Sequence, residues 1–221
     1  MKSERLSYEG PFGVGYGICI YETGEKDPSR KFLEQYEEKV RLRLKKQREK
    51  EDAHVRLARE TIEHYVRTGQ LPEAPADLPE ELRECRAGVF VSIKKDGRLR
   101  GCIGTIKAVQ ASIAEEIRYN AVSACSQDPR FSPVQPEELE RLTISVDVLG
   151  DAKRVASLAE LDVRRYGVIV TNGHRRGLLL PNLEGVDTVQ EQIAIAKQKA
   201  GIRADEEVEL QRFEVVRHGV S

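Results

Sequence analysis

The sequence is poor in the residues that build metal centres and disulfide frameworks. Among its 221 residues there is no tryptophan, one methionine and only four cysteines, which are scattered without a C-x-x-C pair. No cluster of cysteine and histidine completes a zinc-type spacing, and the isolated thiols do not predict a disulfide framework. We therefore expect a reduced, cytoplasmic protein with no metal site and no cofactor.

The sequence also lacks long apolar runs and has almost no net charge. No run approaches the roughly 20 apolar residues that cross a bilayer, and the amino terminus lacks the basic-then-apolar pattern of a signal peptide. The 36 basic and 37 acidic residues leave a formal net charge of -1, and aromatic residues make up 5%. This balance argues against membrane binding and against nucleic-acid binding, which depends on a basic surface and stacking aromatics.

The clearest chemical signal lies in residues 87–106, AGVFVSIKKDGRLRGCIGTI. The dipeptide Asp96-Gly97 between two apolar runs predicts a two-residue type I′ turn, and so a β-hairpin. In that register Arg100 and Cys102 share one face of the ribbon, roughly 7 Å apart along the strand. The predicted pairs are Lys95 with Arg98, Ile93 with Arg100, Val91 with Cys102, and Val89 with Gly104.

Cys102 is the strongest candidate for a functional residue. A free cysteine is most often a small buried hydrophobe, and Cys85 and Cys125 are interpreted in this way. Beside Cys102, Arg100 would favour the thiolate, while Gly101 and Gly104 would leave the flanking backbone open to a substrate. The sequence predicts Cys102 as a nucleophile or ligand contact, and a purely structural thiol remains the alternative. Of the four histidines only His174 lies at a predicted turn, so a Cys-His dyad is not predicted.

The segment Asp128-Pro129-Arg130-Phe131 has two interpretations that both stay open. In the first it is a turn that ends a helix, with Asp128 accepting backbone N–H groups and Arg130 pairing with a carboxylate. In the second, Asn120, Asp128 and Arg130 line a cleft near Cys102, and Arg130 binds a carboxylate or phosphate with its two-pronged guanidinium. Weaker candidates are Glu184, Arg175 and Arg176.

The rest of the chain predicts an α+β fold with a largely antiparallel sheet. The 8–21 segment alternates bulky and small residues, which indicates one strand without a local partner. A proline-rich loop is expected over 71–82. Apolar stripes predict one long helix or two collinear ones over 33–65, and further helices over 112–125 and 187–201. Strands are expected over 142–149 and 208–216, and a second hairpin over 166–180 with Asn172-Gly173 at its turn.

Five segments carry a family resemblance: LARETIEHYVRTG, AGVFVSIKKDGRLRGCIGTI, NAVSACSQDPRFSPV, LTISVDVL and YGVIVTNGHRRGLLLPNLEGVDTVQEQ. In order and spacing they resemble the AMMECR family, called AmmeMemoRadiSam system protein A in prokaryotes, over residues 53–218. The resemblance implies an α+β domain with a larger and a smaller subdomain, and a functional LRGCIG segment. It also implies partnership with a Memo-like relative of the extradiol dioxygenases and with a radical-SAM protein.

The amino-terminal YEGPFGVGYGICIYE resembles the carboxyl end of that Memo-like partner, whose metal-binding segments this sequence lacks. The expected organisation is a Memo-like remnant strand over 1–25, a charged helical connector over 26–52 and the AMMECR domain over 53–218. Three functions follow as hypotheses. The first is action on, or binding of, a small anionic molecule through Cys102 and nearby basic residues. The second is a non-catalytic module that docks a Memo-like partner, and the third and least supported is nucleic-acid binding.

Overall fold

The computed structural model describes residues 2–9, 16–22, 24, 30–183 and 185–219. The chain divides into two compact units, Met1–Val40 and Arg41–Ser221. No described helix combines the length and the apolar character needed to cross a bilayer. The helices are α1 (Phe32–Arg48), α2 (Ala53–Thr68), α3 (Glu80–Glu84), α4 (Ile113–Ser126) and α5 (Val189–Lys199). The strands are β1 (Lys2–Glu9), β2 (Tyr16–Glu22), β3 (Val89–Lys95), β4 (Arg98–Gly104), β5 (Leu142–Leu149), β6 (Lys153–Arg154), β7 (Gly167–Asn172), β8 (Arg175–Leu179), β9 (Glu209–Phe213) and β10 (Val215–His218).

The first unit contains a two-stranded antiparallel ribbon of β1 and β2. Tyr8 of β1 pairs with Gly17 of β2. The prediction of one continuous strand over 8–21 is therefore wrong, because its two ends lie in different strands, and residues 10–15 fall outside the described residues. The described side chains of the ribbon are all exposed. The ribbon therefore has no packed face of its own among its described side chains. An isolated two-stranded ribbon of this kind is at best marginally stable in water.

A four-stranded antiparallel sheet in the order β10-β5-β3-β4 forms the centre of the larger subdomain. Apolar side chains alternate along β3 and β5, and helices α2 and α4 pack against the sheet. Burying each such side chain stabilises the fold by roughly 1.5–3 kcal/mol. Fully buried members of this core include Ile62, Val91, Ile93, Ile117 and Val146. The predicted α+β class is confirmed.

Helices α2 and α4 begin at residues whose side chains accept free backbone N–H groups. Asp52 accepts two such groups at the start of α2, and Ser112 caps α4, which agrees with the helix predicted over 112–125. The break at Asp52 divides the region predicted as one long helix or two collinear ones. Of the apolar residues in the first part of this region, Leu44 is buried, whereas Leu33 and Tyr36 are exposed. The proline-rich loop predicted before the hairpin contains the short helix α3.

The smaller subdomain consists of the sheet β6-β9-β7-β8 and helix α5. A Cβ atom at Gly177 of β8 would lie 2.1 Å from the carbonyl oxygen of Ala196, so only glycine allows this approach of strand to helix. The second hairpin has its turn one residue later than predicted, because Asn172 itself pairs with Arg175. Helix α5 is capped by Thr188, one residue after the start of the helix predicted over 187–201.

The chain crosses between the two sheets at two points. Gly150 follows β5 and leads to β6, while Glu214 separates β9 of the smaller sheet from β10 of the larger one. The N–H of Gly150 donates to the carbonyl oxygen of Glu214 at 2.9 Å, which joins the two crossings. The predicted strand over 208–216 is therefore two strands in two sheets. A separate apolar cluster of Leu149, Ile169, Leu178 and Phe213 packs against Phe90 between the subdomains.

Candidate functional site

The β3–β4 hairpin has the predicted turn but not the predicted register. Asp96 and Gly97 both have positive φ, of 52° and 81°, as a type I′ turn requires. Beyond Lys95–Arg98 and Lys94–Leu99 the register shifts, so that Ile93 pairs with Gly101, Ser92 with Cys102, and Phe90 with Gly104. The extra residue on β4 is Arg100, which marks a β-bulge. Three of the four predicted pairs are therefore wrong, and Cys102 shares its face with Ser92.

Cys102 lies in the edge strand β4, where it is partly exposed. The Ser92 hydroxyl donates to its sulfur, with Oγ and Sγ 3.2 Å apart. Ser92 in turn pairs with Ser145 of β5, so the three side chains form one row across the sheet. This row lies on the face opposite the buried valines and isoleucines of β3. The thiol is thus part of a polar surface.

Asp128 and Arg130 bind the outer edge of β4 at Cys102. An Asp128 oxygen accepts the Cys102 N–H at 2.9 Å, and Nη2 of Arg130 donates to the Cys102 carbonyl oxygen at 3.2 Å. Arg130 also donates to Asp128 from Nε at 2.9 Å and from Nη2 at 2.7 Å. The two sequence interpretations of this segment meet here: Asp128 orders the turn, and both residues lie beside Cys102.

Two arginine–aspartate pairs lie near the Cys102 sulfur. Arg130 holds the pKa of Asp128 well below its usual range. On β10, Arg217 donates to the buried Asp147 at 2.7 Å. Hydrogen bonds to Asp128 and to Asp147 raise the pKa values of Arg130 and Arg217, and the Cys102 sulfur adds a smaller effect in the same direction on both. Within the described residues, Arg130 and Arg217 are thus two cations that interact electrostatically with the Cys102 sulfur.

Arg100 is directed to a different partner. Its guanidinium donates to both carboxylate oxygens of Glu138, at 3.1 and 2.8 Å, and to the carbonyl oxygens of Ser132 and Pro133. Hydrogen bonding from Arg100 lowers the pKa of Glu138 to about 2, and Lys95 contributes a further hydrogen bond. The predicted placement of Arg100 on the face of Cys102 is wrong, because the bulge turns it towards the segment after α4.

The space that a side chain would need at Gly101 and at Gly104 is already occupied, by atoms on opposite faces of the sheet. A Cβ atom at Gly101 would lie 2.2 Å from the carbonyl oxygen of Ala124 in α4, and one at Gly104 would lie 2.3 Å from the Phe90 ring. The prediction that these glycines open the backbone to a substrate is therefore wrong. They allow a helix and an aromatic ring to approach the strand.

The remaining predicted residues lie away from the thiol. Asn120 is buried and donates from Nδ2 to the Val89 carbonyl oxygen at 3.1 Å, so its amide joins α4 to β3 instead of facing a cleft. Arg175 pairs with Glu206 in the smaller subdomain. His174 is an exposed turn residue, and Cys85 is exposed, against its predicted structural role. Cys125 is buried as expected, and burial raises its pKa to about 11. Glu184 lies outside the described residues.

Within the described chain, one group of three residues has the composition of a metal site: Asp52, His54 and His218. Sequence reasoning missed it because Asp52 and His218 are 166 positions apart. The two imidazole rings stack, with centroids 3.6 Å apart and planes 14° from parallel. Imidazole lone pairs lie in the ring plane, so stacked rings direct them side by side and not at one ion. Asp52 already accepts from His218 and from the start of α2, which favours a packing role.

Sequence reasoning also missed Ser92, Asp147 and Arg217. Alternation along β3 and β5 places Ser92 and Asp147 opposite the apolar face, and this polar face could be predicted from VFVSIKK and LTISVDVL. Arg217 lies 70 positions after Asp147, and its approach depends on the pairing of β10 with β5. No local pattern gives that pairing.

With its two subdomains and its RLRGCIG strand, the chain belongs to the AMMECR1 family, whose family model matches residues 55–218. A protein of Thermotoga maritima is 52% identical over 170 residues, which cover 76% of this chain and 98% of the relative. The crystal structure of an uncharacterised protein from Pyrococcus horikoshii has 34% identity and a TM-score of 0.69, and covers 74% of this chain and 88% of that chain.

A protein of Clostridium acetobutylicum is 48% identical over 218 residues, which amount to 98% of this chain. The chain spans only 46% of the length of that relative. The match includes the ribbon of the first unit as well as the AMMECR1 domain.

Proposed function

We propose that this protein binds or acts on a small anionic molecule at Cys102, with the thiol as nucleophile or ligand contact. The observation that carries the proposal is the position of the sulfur on an open polar face, 3.2 Å from the Ser92 hydroxyl and near Arg130 and Arg217. A hydroxyl donor and neighbouring cations both favour the thiolate form of a cysteine. These three residues replace Arg100 and the two glycines of the sequence hypothesis.

Arg130 is the residue best placed to contact an anion beside the thiol. Its side chain is 53% exposed, whereas its partner Asp128 is 2% exposed. The buried carboxylate fixes Nε and Nη2 of Arg130, and Nη1 has no hydrogen bond within the described residues. A carboxylate or phosphate oxygen would bind this remaining donor next to the Cys102 sulfur.

We expect Cys102 to react with iodoacetamide at pH 7 roughly threefold faster than Cys85, or more, because the Ser92 hydroxyl donates to its sulfur and the Arg130 cation lies beside it, and both stabilise negative charge on sulfur during the attack. Cys85 is the exposed reference, and the buried Cys125 should react slowest. The measurement is site-resolved mass spectrometry of the folded protein across pH 5–10. Equal rates for Cys102 and Cys85 over this range would remove the physical basis of the proposal.

Two substitutions test whether Ser92 and Arg130 cause the faster alkylation of Cys102. Ser92→Ala removes the hydroxyl donor and Arg130→Gln removes the exposed cation, so each should slow alkylation of Cys102 at pH 7. Ser145→Ala is the matched control, because Ser145 occupies the next position of the same row, on β5. A loss of rate that is as large in Ser145→Ala as in Ser92→Ala would show that the hydrogen bond is not responsible.

A second function, docking of a Memo-like protein, is favoured by the first unit. Its ribbon exposes Tyr8, Ile18, Ile20 and Tyr21, each by more than half. Such apolar exposure is typical of an interaction surface. The Clostridium relative matches this ribbon within a chain of about twice the length, which offers it a neighbouring domain. A radical-SAM protein would join the same assembly.

The docking proposal predicts that Ile18→Lys and Ile20→Lys weaken a complex with a Memo-like protein at least about tenfold, since each removes a large apolar contact. Analytical ultracentrifugation of the purified pair measures the affinity. Leu99→Lys is the control, because Leu99 is an exposed apolar residue of the second unit. Equal affinity for all variants would rule out the ribbon as the docking surface.

A further inference from the structure

A cavity of about 450 Å³ lies between the two sheets of the second unit. Its walls come from the end of β5, from the segments before β3 and after β4, and from β8 and β9 of the smaller sheet. Ile106 and Leu149 supply apolar surface. Three cationic side chains and one carboxylate complete the lining: Arg86, Lys107, Arg176 and Asp151. Cys102 is not part of it.

None of the three cations of this cavity has a carboxylate partner within the described residues. Arg86 uses Nε to donate to the Gln110 carbonyl oxygen, and Arg176 uses Nη2 to donate to the Gln211 side chain. Nε of Arg176 is buried and has no hydrogen-bond partner. Lys107 has no ion pair within the described residues, and none of the three forms a salt bridge with Asp151 there. The unmatched buried Nε of Arg176 is costly unless a ligand satisfies it, whereas Arg86 and Lys107 are exposed.

The wall that carries Lys107 is fixed before any ligand arrives. The buried carboxylate of Glu116 in α4 accepts from the Thr105 hydroxyl at 2.6 Å and from the backbone N–H groups of Val109 and Gln110, both at 2.8 Å. The Arg86 hydrogen bond to Gln110 joins the same segment from the other side. A preorganised site of this kind loses little entropy on binding.

We propose that this cavity binds a phosphate-bearing small molecule, with Arg86, Lys107 and Arg176 contacting the phosphoryl oxygens. Two guanidinium forks and one ammonium group match the several oxygens of a phosphoryl group better than the two of a carboxylate. The volume exceeds that of a bare phosphate ion, and the apolar wall of Ile106 and Leu149 suits an organic portion. The site is separate from the thiol and does not rest on the function proposed for Cys102.

A neighbouring cavity of about 350 Å³ also contains cations, and its two arginines already have partners in the protein. Arg165 pairs with Glu214, and Arg212 donates to the Glu160 carbonyl oxygen and lies 4.6 Å from the centroid of the Tyr166 ring. The larger cavity differs in that its cations keep donors for a ligand.

Isothermal titration of the full chain with inorganic pyrophosphate, at low ionic strength, tests the proposal. Arg176→Gln and Lys107→Gln should each weaken binding about tenfold or more, because each removes charge-assisted hydrogen bonds. Arg98→Gln makes the same charge change on the exposed turn of the β3–β4 hairpin and should leave binding unchanged. Binding that depends on Lys107 and Arg176 is assigned to this cavity and not to the surface beside Cys102.

Three results would overturn the proposal. Wild-type protein that does not bind pyrophosphate has no such site. A loss in Arg98→Gln as large as in Lys107→Gln would show general attraction of anions. Succinate binding as tight as pyrophosphate binding would exclude the preference for phosphate. Lys107 is exposed, so Lys107→Gln serves as the test even if Arg176→Gln does not fold.

Discussion

Replacing Gly101 by alanine is expected to lower the free energy of unfolding by about 3 kcal/mol or more. The added Cβ would meet the Ala124 carbonyl oxygen at 2.2 Å, and this oxygen belongs to the backbone of α4, which cannot move as a side chain does. Either β4 or α4 must shift, and both pack against the core of the larger subdomain. Urea unfolding followed by circular dichroism measures the change.

Two further alanine substitutions make this experiment decisive. Gly177→Ala repeats the geometry in the smaller subdomain, where the Cβ would lie 2.1 Å from the Ala196 carbonyl oxygen, and should destabilise similarly. Gly24→Ala is the control, because nothing lies within 4 Å of the position that its Cβ would take and its φ is not in the positive range. If Gly101→Ala unfolds with the wild-type midpoint, β4 does not need close approach to α4.

Removal of Arg100 is expected to cost about 3 kcal/mol, because it leaves the Glu138 carboxylate nearly buried with only Lys95 as a cationic partner. The side chains of Arg100 and Glu138 are each 14% exposed. Arg100→Ala also removes the donors of two backbone carbonyl groups, so the segment after α4 should loosen. Arg98→Ala, two residues away and exposed, should change stability by less than about 0.5 kcal/mol. Thermal unfolding of both variants measures the difference.

The stability contribution of the Arg100–Glu138 ion pair should depend on pH, and the direction of this dependence can be tested. Glu138 has a pKa of about 2 in the folded protein and an ordinary value of 4.5, so it binds a proton more readily when the chain unfolds. Its contribution is present above pH 4.5 and is lost as the pH falls towards 2. The stability gap between wild type and Glu138→Gln should therefore be largest near pH 7 and should shrink through that window. A gap that stays constant down to pH 2 would contradict the ion pair.

Local patterns predicted those parts of the fold that depend on neighbouring residues. The strand over 142–149, helix α4 and the turn at Asp96-Gly97 follow from alternation, helical spacing and turn chemistry. The patterns failed where the outcome depends on contacts distant in sequence. The partner strand β1 and the division of the last predicted strand at Glu214 both follow from pairings that no local period contains.

In the candidate site too, local patterns predicted some residues, and contacts distant in sequence determined the others. Sequence reasoning selected Cys102, Asp128 and Arg130, which the fold brings together. It placed Arg100 wrongly because a single inserted residue in a strand reverses the face of its neighbours. It missed Arg217 because that arginine lies 70 positions after Asp147 and reaches it through the pairing of β10 with β5.

The return of β10 to the larger sheet has a consequence for synthesis on the ribosome. Strands β6 to β9 are inserted between β5 and β10, which are neighbours in one sheet, and His218 of β10 contacts Asp52 at the start of α2. The ribosome makes the chain from its amino end, so β10 can pair with β5 only after the whole smaller subdomain has emerged. The nascent larger subdomain therefore carries an unpaired β5 edge during elongation, and β10 pairs with that edge only after β6 to β9 have been made.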